Sequence, residues 1–310
     1  MLDEIKLSLK QQREFYEKYL KEIVPVVQKN EATRKNKLCT AIITSGLSFI
    51  AGSLVLCYCI IHNPSGRGWG DLIIGLYSFS FLSWFWIKKG FENSIKEKIM
   101  PTVCGCFGNL KWFQGLYSGS HVFSSSFVIP NFESVNYDDV FKGSYNDVNI
   151  DIVESEYIHG SGKYRSIVFD GVIIKLDMNK PFTSHTLIKP NGLIHISPSS
   201  KLKHTELEDV EFNKQFDVYT NDEVDARYLI TPSFMERLKD MEIAFKADSV
   251  SCVFYRKYLI IALSTKKDLF SICSLIKPID DEQQYFQMYE EIVSIIKLID
   301  HFKLNQKIGL

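Results

Sequence analysis

From Leu38 to Ile61 the chain runs for 24 residues without a charged side chain. As an α-helix rising about 1.5 Å per residue, that run spans roughly 36 Å, more than the ~30 Å hydrocarbon core of a bilayer. A polar segment of 37 residues precedes it, which sets it apart from a secretory signal. A second uncharged run, Leu72 to Ile87, covers 16 residues and reaches 20 when Gly68 to Asp71 are added, with the acid at the membrane edge. Trp69 then marks one interface, and Trp84 and Trp86 the other, directly before Lys88 and Lys89, where amphipathic rings and long cations are favourable. The connection His62 to Asp71 (HNPSGRGWGD) holds Pro64 and three glycines and cannot continue a helix. These features predict a transmembrane hairpin.

Its orientation follows from the basic flanks. Lys29, Arg34, Lys35 and Lys37 precede the first span and Lys88, Lys89, Lys96 and Lys98 follow the second, whereas the connecting loop has only Arg67. Both termini are therefore expected in the cytoplasm, with the loop alone on the far side. Small residues in the first span, Ser45, Gly46, Ser48, Ala51 and Gly52, allow close approach of the two helices or dimerisation. Neither span carries an ionisable residue at mid-depth, so a channel or proton relay acting alone has no group to work with.

Charge is segregated along the chain. Residues 1–37 hold nine Lys/Arg and six Asp/Glu, residues 38–87 one of each, and residues 88–310 hold 26 basic and 30 acidic groups. That mildly acidic remainder has no Lys/Arg run, which argues against nucleic acid as a partner. Seven cysteines, three of them in the first apolar run and its border (Cys39, Cys57, Cys59), do not form a secreted disulfide framework.

The polar parts read as follows. Ile5, Leu9, Phe15/Tyr16, Tyr19 and Ile23 recur at helical spacing over residues 2–24 until Pro25 interrupts. Residues 88–100 predict a basic helix stopped at Pro101. Strands are expected at Val148–Tyr157, Tyr164–Asp177, His185–Lys189, Leu193–Ser197, Phe216–Thr220, Val250–Leu263 and Lys267–Ile276, with a hairpin turn at Lys189-Pro190-Asn191-Gly192. Thr231 precedes Pro232 at a first helical position, and Ser233 with Glu236 has capping-box spacing. Asp280–Phe302 predicts a long amphipathic helix with Tyr285, Met288/Tyr289, Ile292, Ile295/Ile296 and Ile299 along one face. The expected fold is a two-helix transmembrane hairpin plus a cytoplasmic α+β domain, mainly an antiparallel sheet packed by helices. The expected boundaries are 1–37 (N-terminal helix), 38–61 and 69–87 (spans), 62–68 (loop), 88–118 (juxtamembrane helical segment) and 119–310 (sheet domain).

In this order the chain resembles an uncharacterised bacterial family of inner-membrane proteins, domain of unknown function 3137. The resemblance is carried by Phe216-Asp-Val-Tyr-Thr-Asn-Asp-Glu-Val-Asp-Ala-Arg227-Tyr-Leu-Ile-Thr-Pro-Ser-Phe-Met-Glu-Arg-Leu238, preceded by Leu207-Glu-Asp-Val-Glu-Phe212. Tyr137-Asp-Asp139 with Gly143, Glu154/Glu156, and Phe169-Asp-Gly171 before Asp177 support it. The resemblance covers almost the whole chain and implies the fold and a bacterial inner-membrane location, but no activity or catalytic residue.

Chemistry is sparse. Gly160-Ser-Gly162-Lys163 lacks the earlier glycine of a phosphate loop, and Tyr164 stands where a hydroxyl would bind metal, so a hairpin turn is expected. Cys104-Gly-Cys106 has no second Cys/His pair at zinc spacing, and the seven histidines form no HExxH pattern; no metal or cofactor is expected. The densest polar stretch is Asp222, Glu223, Asp225 and Arg227 ahead of the helix carrying Glu236. Acids at a helix start serve the helix dipole, and Arg227 is expected to bridge to one of them or to Glu236. The functional expectation is a noncatalytic, membrane-tethered interaction or assembly module, with the lipid bilayer and a protein partner or a second copy as partners. The alternative is a membrane-bound hydrolase with a dispersed site.

Overall fold

The computed structural model describes residues 12–64, 66, 68–145, 148–178, 181–192, 199–267 and 269–307. The expected strand Leu193–Ser197 and the helical positions Ile5 and Leu9 lie outside them. The chain divides into two compact units, Met1–Cys106 with Ser271–Tyr285, and Phe107–Phe270 with Phe286–Leu310.

The first unit is built on two long helices. A helical stretch Gln12–His62 contains α1 (Val24–His62), and α2 spans Gly68–Cys104. Both are long and apolar enough to cross a membrane. Pro25 does not end the helix, contrary to expectation. One π-helical turn, Tyr19–Ile23, precedes it, with the Val24 N–H bonded to the Tyr19 carbonyl. The wider turn accommodates a proline ring that would collide with the carbonyl four residues back. Pro101 does not stop α2 either, which runs on to Cys104.

The two helices meet along small and hydroxylated residues. The Ser48 hydroxyl donates to Leu76 O (2.6 Å) and Ser80 to Ser45 O (2.7 Å), and the Ser53 and Tyr77 hydroxyls lie 3.1 Å apart. A Cβ on Gly52 would rest 3.4 Å from Leu76 Cβ, an ordinary van der Waals contact, so the helices run close there without glycine being required. Interhelical bonds of this kind contribute about 0.6 to 2 kcal/mol each in a membrane. Ser45, Ser48 and Gly52 thus serve the hairpin itself, while Gly46 faces open space.

The second unit is a nine-stranded, wholly antiparallel sheet among the described residues, in the order β1-β2-β3-β4-β9-β8-β5-β7-β6. The strands are β1 Lys111–Gln114, β2 Ser134–Tyr145, β3 Val148–His159, β4 Ser166–Asp177, β5 Thr186–Pro190, β6 Lys203–Thr205, β7 Phe216–Thr220, β8 Ser249–Tyr255 and β9 Tyr258–Ser264. Short helices are α3 Ser120–Ser125, α4 Val210–Gln215, α5 Glu223–Leu229 and α6 Pro232–Ala244; the long α7 is Glu282–Lys307. One sheet face is covered by α3 and its flanks, which join Phe123, Val128 and Ile129 to Tyr157, Ile173, Val253 and Ile260. Phe234 of α6 packs 5.3 Å from Phe254, and Phe270 packs 4.8 Å from Phe141.

Two strand expectations are corrected. Val250–Leu263 folds as the hairpin β8–β9 around Arg256 and Lys257, with Arg256 at φ 58°. Lys267–Ile276 forms no strand among its described residues, although Leu269, Phe270, Ile272, Cys273 and Leu275 are buried. Its apolar pattern reflects burial of an irregular strap. The strand β7 matches its expected limits, but β5 pairs with β7 on one side and β8 on the other.

Candidate functional site

The acidic stretch after β7 is a fastening of the backbone. Asp222 is the N-cap of α5 and accepts from Val224 N (3.0 Å) and Asp225 N (3.1 Å). Asp225 accepts from Ser184 N (3.0 Å), and Asn221 from His185 N (2.8 Å). A hydroxyl chain joins Ser184, Thr186 and Thr220 at 2.9 Å per step, and Thr220 donates to Asp222 O (2.9 Å). Together these bonds tie the start of β5 to the end of β7. Glu223 lies in the first turn of α5, where its charge favours the helix dipole.

The expected Arg227 clamp is absent. Arg227 is exposed and makes no hydrogen bond or ion pair among the described residues, and Glu236 is exposed on α6. The physical reason is that Asp222 and Asp225 are already satisfied by backbone N–H groups. The helix start also differs from the expected capping box: Thr231 caps α6 by accepting from Phe234 N (3.2 Å), which places Ser233 and Glu236 inside the helix.

His185 sits beside this knot. Its Nε2 is 3.0 Å from Ser126 O, and its ring stacks on Phe127 (5.6 Å) and tilts against Tyr255 (4.7 Å). Burial pushes its pKa below the ordinary value, so the ring stays neutral. Its ring makes no hydrogen bond to a serine or cysteine side chain among the described residues, so no nucleophile–base pair forms there. Cys106 donates to Thr102 O, and burial raises its thiol pKa, which removes the thiolate character a reactive cysteine needs.

A second polar cluster pins α3 and its flanks to the sheet. The Tyr117 hydroxyl donates to Asp151 (3.0 Å), which also pairs with Lys175 (2.5 Å), while Lys142 lies 4.5 Å above the Tyr117 ring and Phe123 stacks 5.5 Å from it. Burial, with Asp151 adjacent, drives the Tyr117 pKa far up and keeps the phenol protonated as a donor.

A third cluster lies wholly in the first unit and escaped the sequence reading, where Arg34 counted only as a membrane-flanking charge. Buried Arg34 forks onto Glu31 (2.7 and 2.8 Å) and donates to Leu275 O (2.8 Å). Glu31 accepts from Ile279 N (3.4 Å), Glu92 from Leu275 N (3.2 Å), and the Tyr285 hydroxyl donates to Ile279 O (2.7 Å). The strap 271–285 is thereby held to α1 and α2. The one available signal was the Glu31–Arg34 spacing of three on a helix.

These features define a class: a pair of long apolar helices joined to an antiparallel sheet domain whose polar clusters hold segments in place. Residues 167–304 match the family model described as "Protein of unknown function (DUF3137)", so the resemblance stands over that stretch. The matched range includes Phe216–Leu238 and Gly171, but not the two long helices or Tyr137–Asp139. No curated protein matches the chain. The crystal structure of the mycobacterial trehalose monomycolate transport factor A, TtfA, is similar over 59% of this chain and 84% of that one, at 8% identity and a TM-score of 0.35, too distant to carry an argument.

Proposed function

We propose that the chain is a noncatalytic interaction or assembly module of the bacterial inner membrane, anchored by α1 and α2, with both termini and the sheet domain in the cytoplasm. The observation that carries this reading is a belt of exposed apolar side chains. Ten large ones lie between Ile42 and Ile61 and seven between Leu72 and Trp86, including Leu54 (66% exposed), Ile60 (74%), Phe81 (71%) and Trp86 (72%). Soluble monomers rarely expose an apolar surface this continuous, whereas lipid tails cover it without cost. Lysines and arginines flank the belt at its cytoplasmic ends, as the orientation requires.

The noncatalytic part rests on what the polar clusters do. Asp222, Asp225, Glu31 and Asp151 each satisfy backbone or side-chain donors that position a segment, and His185 is neutral and bonded to a carbonyl. Cross-linking in native membranes tests the reading. A discrete complex, with itself or with one reproducible partner, is expected. A monomer throughout, combined with ester or phosphoester hydrolysis by the purified chain, contradicts it.

A further inference from the structure

The long hairpin β3–β4 ends in a tip that the functions above do not use. Strand β9 pairs with β4 from Gly171 to Asp177, and the Asp170 carbonyl still accepts from Thr265 N (2.8 Å), so Ser166–Phe169 project past it, at the end of the sheet where β9 terminates at Ser264. Within the tip every residue from Ser161 to Ile167 is exposed. Tyr164 is 89% exposed and Ile167 55%, flanked by Lys163 and Arg165, and residues 159–167 contain no acid.

The tip is nevertheless built. Gly160 has φ 77°, and a Cβ there would collide with the Tyr164 carbonyl oxygen; Gly162 has φ 57° and opens a 3-10 turn, Gly162–Tyr164, in which Tyr164 N donates to Ser161 O (3.1 Å). Arg165 donates to Glu156 (3.0 Å), which holds the guanidinium at the base of the tip and leaves Lys163 as the forward charge. The fixed turn holds an aromatic ring outward in water, at an entropic and hydrophobic cost that a partner surface would offset.

We propose that this tip docks on the membrane surface, Tyr164 and Ile167 entering the headgroup region of anionic phospholipids with Lys163 against their phosphates. Tyrosine is favoured at that depth, where its ring is apolar and its hydroxyl stays wet, and the cytoplasmic leaflet carries the negative charge that an acid-free basic tip complements. Anchoring by α1 and α2 keeps the lipid surface at high local concentration, so even a weak contact is populated. The inference rests on the anchored reading given above.

Trypsin cleavage of the full chain in nanodiscs tests it, read by mass spectrometry after Lys163 and Arg165, with the exposed turn at Arg256–Lys257 as internal control. In anionic discs, cleavage at the tip is expected to slow at least fivefold relative to zwitterionic discs while the control site is unchanged, and Tyr164→Ser is expected to restore it. Equal tip cleavage in both lipids overturns the proposal. So does protection that survives Tyr164→Ser, which marks steric shielding, or protection that arises in detergent with rising protein concentration, which marks a second copy as the occupant. A chain that fails to co-elute with the discs overturns the anchored reading, and this inference with it.

Discussion

Gly171 shows how much a single position constrains this sheet. It has φ 147°, and a Cβ there would collide with the Leu263 carbonyl oxygen on β9. Only glycine lets β4 approach β9 at that point, and Gly171→Ala is expected to destabilise the protein by about 3 kcal/mol or more, read as a loss of cooperative unfolding at the wild-type midpoint. Asp222 and Arg227 offer a matched pair of substitutions. Asp222→Ala removes the α5 cap and is expected to cost about 0.5 to 2 kcal/mol in denaturant unfolding of the detergent-solubilised chain. Arg227→Ala, at an exposed residue with no described bond, is expected to change stability by less than about 0.5 kcal/mol. A large loss at Arg227 would show that a partner or a further contact holds it. Although the separate short helix α5 and its cap at Asp222 were not foreseen, the favourable place of acids near a helix start was legible. The fate of Arg227 was not, because charge proximity in sequence does not tell which carboxylates the backbone has already taken.

Among the elements, the strap 271–285 depends most on a single ion pair. Arg34 holds the Glu31 carboxylate pKa below its ordinary value of 4.5, and Glu31 in turn raises that of the Arg34 guanidinium, which is charged throughout. Because the folded pKa is depressed, this stabilisation is fully present above about pH 4.5 and is lost as pH falls through the lower folded value. Lys35 also lowers the Glu31 pKa and Asp280 on the strap raises that of Arg34, while Glu92 accepts from Leu275 N. The protection of the Leu275 and Ile279 amides against hydrogen exchange, taken relative to the intrinsic rate at each pH, is therefore expected to fall below pH 4.5. Arg34→Gln should bring that loss of protection up to neutral pH, and unchanged protection in this variant would contradict the latch. The strap was misread as a strand because Leu269-Phe270-Ser271-Ile272-Cys273 is apolar enough for either role. Strand β2 was missed for the converse reason. Asp138, Asp139 and Gly143 break its alternation, and its register shifts between Tyr137 and Val140; buried Asp139 is compensated by Trp112, whose Nε1 donates at 2.7 Å. Polar residues inside a strand are readable only once their partners are known.

On the scale of the whole molecule, the pair of long apolar helices was the most legible feature, since a stretch of fifty residues with only Arg67 and Asp71 charged needs no tertiary context. The sheet was legible in kind but not in order, because β4 pairs with β9 and β5 with β8 across long stretches of sequence that local patterns do not register. The central claim is that α1 and α2 cross the membrane and leave both ends of the chain in the cytoplasm. Deleting residues 38–87 should move the remaining chain from the membrane pellet to the soluble fraction. The most direct measurement places a reporter that is active only outside the cytoplasm at Ser65, in the loop between α1 and α2, or after Leu310. Activity at Ser65 and none after Leu310 is the predicted result; activity after Leu310, or at neither position, would contradict the account.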